Sequence, residues 1–158
     1  MVIIKTKKDI EIMREAGKIA AGALNEVESI IRRQSATRDI NKFLHDYITR
    51  YGASPTFLGY NNFPASACIS VNNEVIHGIP SGRRLLPGDI VGIDIGVCLK
   101  GLNVDTARTY PVGNISEETA RLLRVTREAL DIAVKTAVLG KRVGDIGNAV
   151  YIYVKLSH

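Results

Sequence analysis

Apolar residues recur at helical spacing along residues 7 to 33. Ile10, Met13, Ala20, Leu24, Val27 and Ile31 fall on one face, and Gly17 fills the gap in that stripe. Thr6 is placed to cap the start. A second helix is predicted over about 38 to 51, with Ile40, Phe43, Leu44, Tyr47 and Ile48 inward, Thr37 as its cap and Gly52 just past its end. The period then shortens to two. Residues 67 to 71 read as a strand, and "GDIVGIDIGVCLKGLNVDTARTYPVG" (88 to 113) reads as two more. In the first of these, Val91, Ile93, Ile95 and Val97 share a face, and four β-branched residues at alternate positions mark a core-facing surface. Helical spacing returns over about 117 to 138, with Ser116 as cap, Glu117 and Glu118 at the positive end, and Leu122, Val125, Ala129, Ile132 and Ala133 inward, before Gly140. A last helix covers about 145 to 155 and carries Ile146, Ala149, Val150 and Tyr153. Two helices, three strands and two helices predict an α+β fold, an antiparallel sheet with flanking helices.

The outer faces of the two long strands hold the first chemistry. Asp94 lies among Ile90, Gly92, Gly96 and Cys98, and its flanking glycines leave room above the backbone. Asp105 shares a face with Asn103, Ala107 and Thr109. The short link around Leu99-Lys100-Gly101 predicts a hairpin. A turn centred on Leu99-Lys100 sets Asp94 directly across from Asp105, Gly92 by Ala107, Gly96 by Asn103, Ile95 by Val104 and Val97 by Leu102. Opposed Cβ atoms lie about 4.5–5.5 Å apart, and two carboxylates at ~5 Å repel by roughly 3 kcal/mol at an effective dielectric of ~20. A shared proton, a basic residue between them or a divalent cation relieves this. The hairpin alone leaves two readings level: a metal, or an ion-paired solvated face using Arg108 or Arg83.

Other features narrow the class. The chain has 158 residues, 46% hydrophobic and 23% charged, which suits one domain over residues 1–158 with a real core. No run approaches a membrane span. Charges interrupt the N-terminus at once, unlike a signal peptide. Cys68 and Cys98 form neither a CxxC nor a disulfide framework. A cytoplasmic protein is expected. The net charge of +5 is spread over separate pairs (Arg32-Arg33, Arg83-Arg84, Lys141-Arg142), which argues for solvated surface and against a specific nucleic-acid site. The loop "GASPTFLGYNNFPASA" holds Phe57, Tyr60 and Phe63; its pattern alone favours a lid on the core over a pocket wall. His77, beside "GIP", reads on its own as structural.

In combination these segments resemble a type I methionine aminopeptidase. The resemblance rests on "IKTKKDIEIMREAGKIAA", "FLGYNNFPASACISVNNEVIHGIP", the 88–113 hairpin and "VGDIGNAV", in that order, covering nearly all of the chain to about residue 150. It implies the first half of a pita-bread fold, in which two related halves clasp two divalent metal ions; Co, Mn, Fe and Zn are not distinguished. It matches Asp94 and Asp105 to metal-binding aspartates, and His77 to a histidine that contacts substrate. Phe57, Tyr60, Phe63 and Cys68 match the pocket for a methionine side chain. On this basis the aromatic loop becomes a pocket wall and His77 functional. The implied activity is removal of the N-terminal methionine from nascent proteins, a step of protein maturation; the implied partner is a peptide or nascent-protein N-terminus, with no membrane.

Members of the resembled family are longer, and their second half brings a histidine and two glutamates to the metals and another substrate-contacting histidine. Here "YIYVKLSH" follows, and His158 lies in no matching motif. Glu117, Glu118, Glu128, Asp131 and Asp145 read as solvated helix charges. The chain alone is therefore expected to bind metal weakly and to have little or no peptidase activity. It is also expected to expose a strand edge that a partner covers. A non-catalytic remnant or interaction module of the same fold is the alternative. A prolidase-type relative is disfavoured by the opening segments.

Overall fold

The computed structural model describes residues 3–32 and 34–157. Arg33, the far end of the expected first helix and half of one basic pair, and His158 lie outside the described residues. The elements run α1 (Lys7–Val27), α2 (Thr37–Arg50), β1 (Ser54–Pro55), β2 (Ala67–Val71), β3 (Ile90–Leu99), β4 (Leu102–Pro111), α3 (Glu117–Thr136) and α4 (Val143–Leu156). Short 3-10 turns follow α1 and fill Tyr60–Asn62. The chain forms two compact units, Met1–Asn114 and Ile115–His158.

In the first unit, β3 is the central strand. It pairs antiparallel with β1 and β2 along one edge and with β4 along the other. Its inward residues Val91, Ile93, Ile95 and Val97 are fully buried, together with Ala67, Ile69 and Val71 of β2. Helices α1 and α2 cover that face through Ala16, Ala20, Ala23, Leu24, Ile40, Leu44 and Ile48. The opposite face of β3, with Asp94, carries no helix of this unit. Thr6 caps α1 reciprocally with Asp9: each side chain takes the other's backbone N–H. Hydrogen bonding to Thr6 holds the Asp9 carboxyl below the usual range.

Three expectations change. α1 gives way to a 3-10 turn at Glu28–Ile30 and does not run to residue 33. Thr37 is the first residue of α2 and not its cap; its hydroxyl exchanges hydrogen bonds with the Ser81 backbone, N–H and C=O, at 2.8 and 3.1 Å. That bond ties α2 to the loop before β3. The two-residue strand β1 was not expected at all; it exists through its pairing with Val97 and Cys98.

The hairpin register also differs from the expected one. Lys100 and Gly101 both have positive φ, +51° and +80°, so they form the two central residues of a type I′ reversal. Leu99 is thereby freed to pair with Leu102. The pairing shifts by two residues: Gly96 faces Asp105, and Asp94 faces Ala107. Likewise Gly92 faces Thr109, Ile95 faces Thr106 and Val97 faces Val104. An even shift preserves faces, so Asp94 and Asp105 remain on one side as diagonal neighbours. Along the free side of β4 no strand pairs among the described residues.

In the second unit α3 and α4 pack on each other. Ser116 caps α3, accepting the Thr119 N–H, and the Tyr153 hydroxyl donates to the Glu128 carboxylate. Of the expected inner stripe only Ala129 is buried, and Leu122 stays 56% exposed. Two helices can hide only the strip where they touch, so the rest of an apolar stripe remains outside.

Candidate functional site

β3 presents Asp94 on the face away from the helices, between Cys68 of β2 and Ala107 of β4. Asp105 follows one diagonal step away on β4. Asp94 is half-buried and Asp105 exposed. That burial governs the electrostatics of Asp94. Burial first, then the neighbouring Asp105 carboxylate, pushes Asp94 up to about 6, against an opposing pull from His77. One carboxylate oxygen, Asp94 Oδ1, is buried without any hydrogen-bond partner. A buried, unpartnered carboxylate oxygen is costly unless a proton or cation meets it.

Among the described residues no basic side chain is hydrogen-bonded to that oxygen. Arg83 Nη1 binds Glu74 Oε1 at 3.0 Å. Arg108 projects from the other face of β4, donates to Asn25 Oδ1 at 2.8 Å and lies over the Tyr110 ring. The ion-paired alternative, with Arg83 or Arg108 between the aspartates, is thereby removed.

A cavity of about 580 Å³ opens over the two aspartates. Its walls bring together every site residue expected from the sequence: Phe57, Tyr60, Phe63, Cys68, His77, Asp94 and Asp105. The aromatic loop is thus a cavity wall and not a lid on the core. Asn61, Asn62, Pro64 and Ile79 also line it and were not anticipated. A signal existed: Asn61 and Asn62 adopt left-handed backbone, φ +47° and +63°, which asparagine tolerates better than most residues. Burial, then the charges of Asp94 and Asp105, push the Cys68 thiol up to about 11, so it stays a protonated, soft wall of the cavity.

Of the two glycines beside Asp94, Gly92 leaves the expected room, with nothing nearer than 3.7 Å to a Cβ placed there, whereas Gly96 serves a different purpose. A Cβ at Gly96 would lie 2.8 Å from Thr56 Cβ and 2.9 Å from Phe57 Cε1. The space above Gly96 is therefore filled by the aromatic loop, which the Thr56 N–H pins to the Gly96 carbonyl at 2.9 Å. Gly96→Ala is expected to cost about 1–3 kcal/mol, as overpacking does, and to shift Phe57. Urea unfolding and the Phe57 ring resonances check this; an unaltered midpoint would contradict it.

The model of metallopeptidase family M24 matches residues 11–158. The chain belongs to that family. Membership of M24 implies use of divalent metal. Among curated relatives, the methionine aminopeptidase of Clostridium perfringens is 45% identical over 155 residues, which are 98% of this chain and 62% of that protein. The crystal structure of methionine aminopeptidase from Rickettsia prowazekii superposes with a TM-score of 0.96 at 39% identity, over 99% of this chain and 63% of that one. Prolidase from Pyrococcus furiosus shares the fold more distantly, with a TM-score of 0.86 at 27% identity, over 98% of this chain and 44% of that one. The M24 chain described here has the pita-bread architecture over the part it spans, and it spans about 62% of the length of the curated relative it matches.

The residues present fit a divalent cation, in part. Two carboxylates, one with an orphaned buried oxygen, offer hard oxygen donors on one face. Among the described residues no group of three or more His, Cys, Asp or Glu side chains is arranged to hold a metal ion.

Proposed function

We propose that this chain is part of a metal-dependent aminopeptidase that removes methionine from the N-terminus of peptides and nascent proteins, in the cytoplasm and as a step of protein maturation. The observation that carries this is the convergence of Asp94, Asp105, His77 and the three loop aromatics on one cavity. Asp94 and Asp105 would hold divalent cation, two ions per complete site and Mn, Co, Fe or Zn alike by their oxygen donors. A cation bound there supplies acidified water and a polarised carbonyl. His77, in the cavity wall, would hydrogen-bond the scissile amide and the charge that develops on it. Phe57, Tyr60, Phe63 and Cys68 offer the polarisable surface a flexible thioether prefers. Cationic metal chemistry at one end and an apolar pocket at the other select a free amine followed by a long, unbranched apolar side chain. The remaining metal ligands would come from the further length that the relatives carry beyond the matched share, and that length would also cover the free edge of β4.

Binding separates this from a non-catalytic remnant. With Mn²⁺ present, a Met-Ala dipeptide should bind saturably and perturb Phe57, Tyr60 and Phe63 resonances, whereas the N-acetylated dipeptide should bind at least about tenfold more weakly, roughly one charge-assisted hydrogen bond. Equal binding of both, or of neither, sinks the proposal. Turnover of Met-Ala by the 158-residue chain with added Mn²⁺ or Co²⁺ should be slight, because catalytic metal sites use three or more protein ligands.

A further inference from the structure

His77 sits in an unusual way. Its backbone is left-handed, φ +59°, which a non-glycine residue adopts only when its surroundings impose it. Its neighbours impose little by packing: Val75 is 89% exposed and Ile76 66%. Farther back, Asn72 is pinned to the Ile90 backbone and Glu74 folds onto the Val71 N–H, but these fix the loop's beginning and not His77. The nearest anchor is the next residue. The Gly78 carbonyl accepts the Ile69 N–H at 2.8 Å, and the Gly78 N–H donates to Ser70 Oγ at 3.1 Å. Gly78 lies so close to β2 that a Cβ there would fall 2.2 Å from the Ile69 carbonyl oxygen.

We propose that Ser70 is a positioning residue: its hydroxyl holds the Gly78 N–H against β2 and thereby sets His77 into the wall of the aspartate cavity. Ser70 is buried and pairs with Gly92, two positions along β2 from Cys68, which faces Asp94. It does not line the cavity itself. Of the two bonds that hold Gly78 to β2, Ser70 makes the one that comes from a side chain. Ser70 lies on the Asp94 face and outside the helix-covered core, so an apolar residue at this position would leave that core intact, yet would leave the Gly78 N–H without its partner. The proposal rests on the role given to Asp94, Asp105 and His77 above.

The test uses the isotope-labelled 158-residue chain, NMR, and Mn²⁺ as the probe. In the unmodified chain, Mn²⁺ should broaden the His77 ring signals, and Asp94→Asn should abolish this. In Ser70→Ala the Gly78 amide should exchange roughly tenfold faster, the scale of one ordinary hydrogen bond, and the broadening of His77 should be lost. The shifts of Ile69, Val91 and Ile93 and the Mn²⁺ affinity should persist. Ser70→Thr, which keeps the hydroxyl, should restore the broadening. Gly78→Ala should abolish it by a route outside the core, which keeps the test open if Ser70→Ala folds poorly. Full broadening of His77 in Ser70→Ala, or in Gly78→Ala, overturns the positioning role while leaving the metal reading intact. No broadening in the unmodified chain overturns the metal reading, and the positioning role with it.

Discussion

Asp94→Asn makes the metal-free chain more stable at pH 7 by about 1–2 kcal/mol and lowers its affinity for divalent cation by roughly a hundredfold. The stability half follows from linkage. An ordinary aspartate titrates near ~3.9, whereas burial and the Asp105 charge raise Asp94 to about 6. Between about pH 4 and 6 the native state therefore holds a proton that the unfolded chain has released. Stability contributed this way is full below the lower value and falls as pH rises through the upper one. Two pH units correspond to about 2.7 kcal/mol, discounted here to about 1–2 because the carboxylate is only half-buried and water screens it. Asparagine carries no charge, so the variant escapes the penalty and the slope between pH 4 and 6 flattens. The affinity half follows from removing one of two anionic donors; losses of 10–100-fold accompany even outer-shell changes at metal sites. Denaturant melts at pH 4, 5, 6 and 7, with Mn²⁺ titrations of both proteins, measure the two halves together. A variant that is less stable at pH 7, or that keeps its Mn²⁺ affinity, contradicts the account.

Ile93→Ala brings the chain close to unfolding, while Leu122→Ala leaves it almost unchanged. Ile93 is fully buried at the centre of β3, opposite Ile69 on β2 and Arg108 on β4, within the core that α1 and α2 cover. Truncating a buried isoleucine to alanine costs about 2–5 kcal/mol, more where the site cannot collapse, and strand pairing on both sides restrains collapse here. Total stabilities of single domains are about 5–15 kcal/mol, so this one change removes a large share. Ile93→Val should cost only about 0.5–1.5 kcal/mol. Leu122 is exposed on α3, where substitutions stay within about 0.5 kcal/mol. Urea midpoints for the three variants decide the matter. A loss above about 2 kcal/mol in Leu122→Ala would show that the outer stripe of α3 is covered in solution.

The sequence was most legible where one periodicity and one buried face agreed. β2 was expected at 67 to 71 and is Ala67–Val71. The inward set of β3, Val91 through Val97, alternates without interruption, and all four residues are buried. The hairpin register was harder to read because both candidate turns contain Lys100. What decides it is backbone handedness: Gly101 takes a positive φ at no steric cost, while Leu99 would not. The two aspartates survived that misreading because the shift was even. α3 forms where expected, Glu117–Thr136 under its Ser116 cap, and only the burial of its stripe differs, because a stripe says that a helix can be covered, not that something covers it. The cavity itself lay beyond pattern reading. It depends on Thr56 and Phe57 occupying the space above Gly96 and on Gly78 pressing against β2, approaches set by the absence of a side chain.

The function proposed for the cavity depends on Asp94 and Asp105 sharing a bound cation. Anomalous scattering from crystals of the chain grown with Mn²⁺ addresses it directly. The expected result is a manganese peak in the cavity, about 2.0–2.4 Å from oxygens of both carboxylates, as hard divalent cations bind. A cavity without manganese, with the two carboxylates joined by a shared proton or a lysine between them, would contradict it.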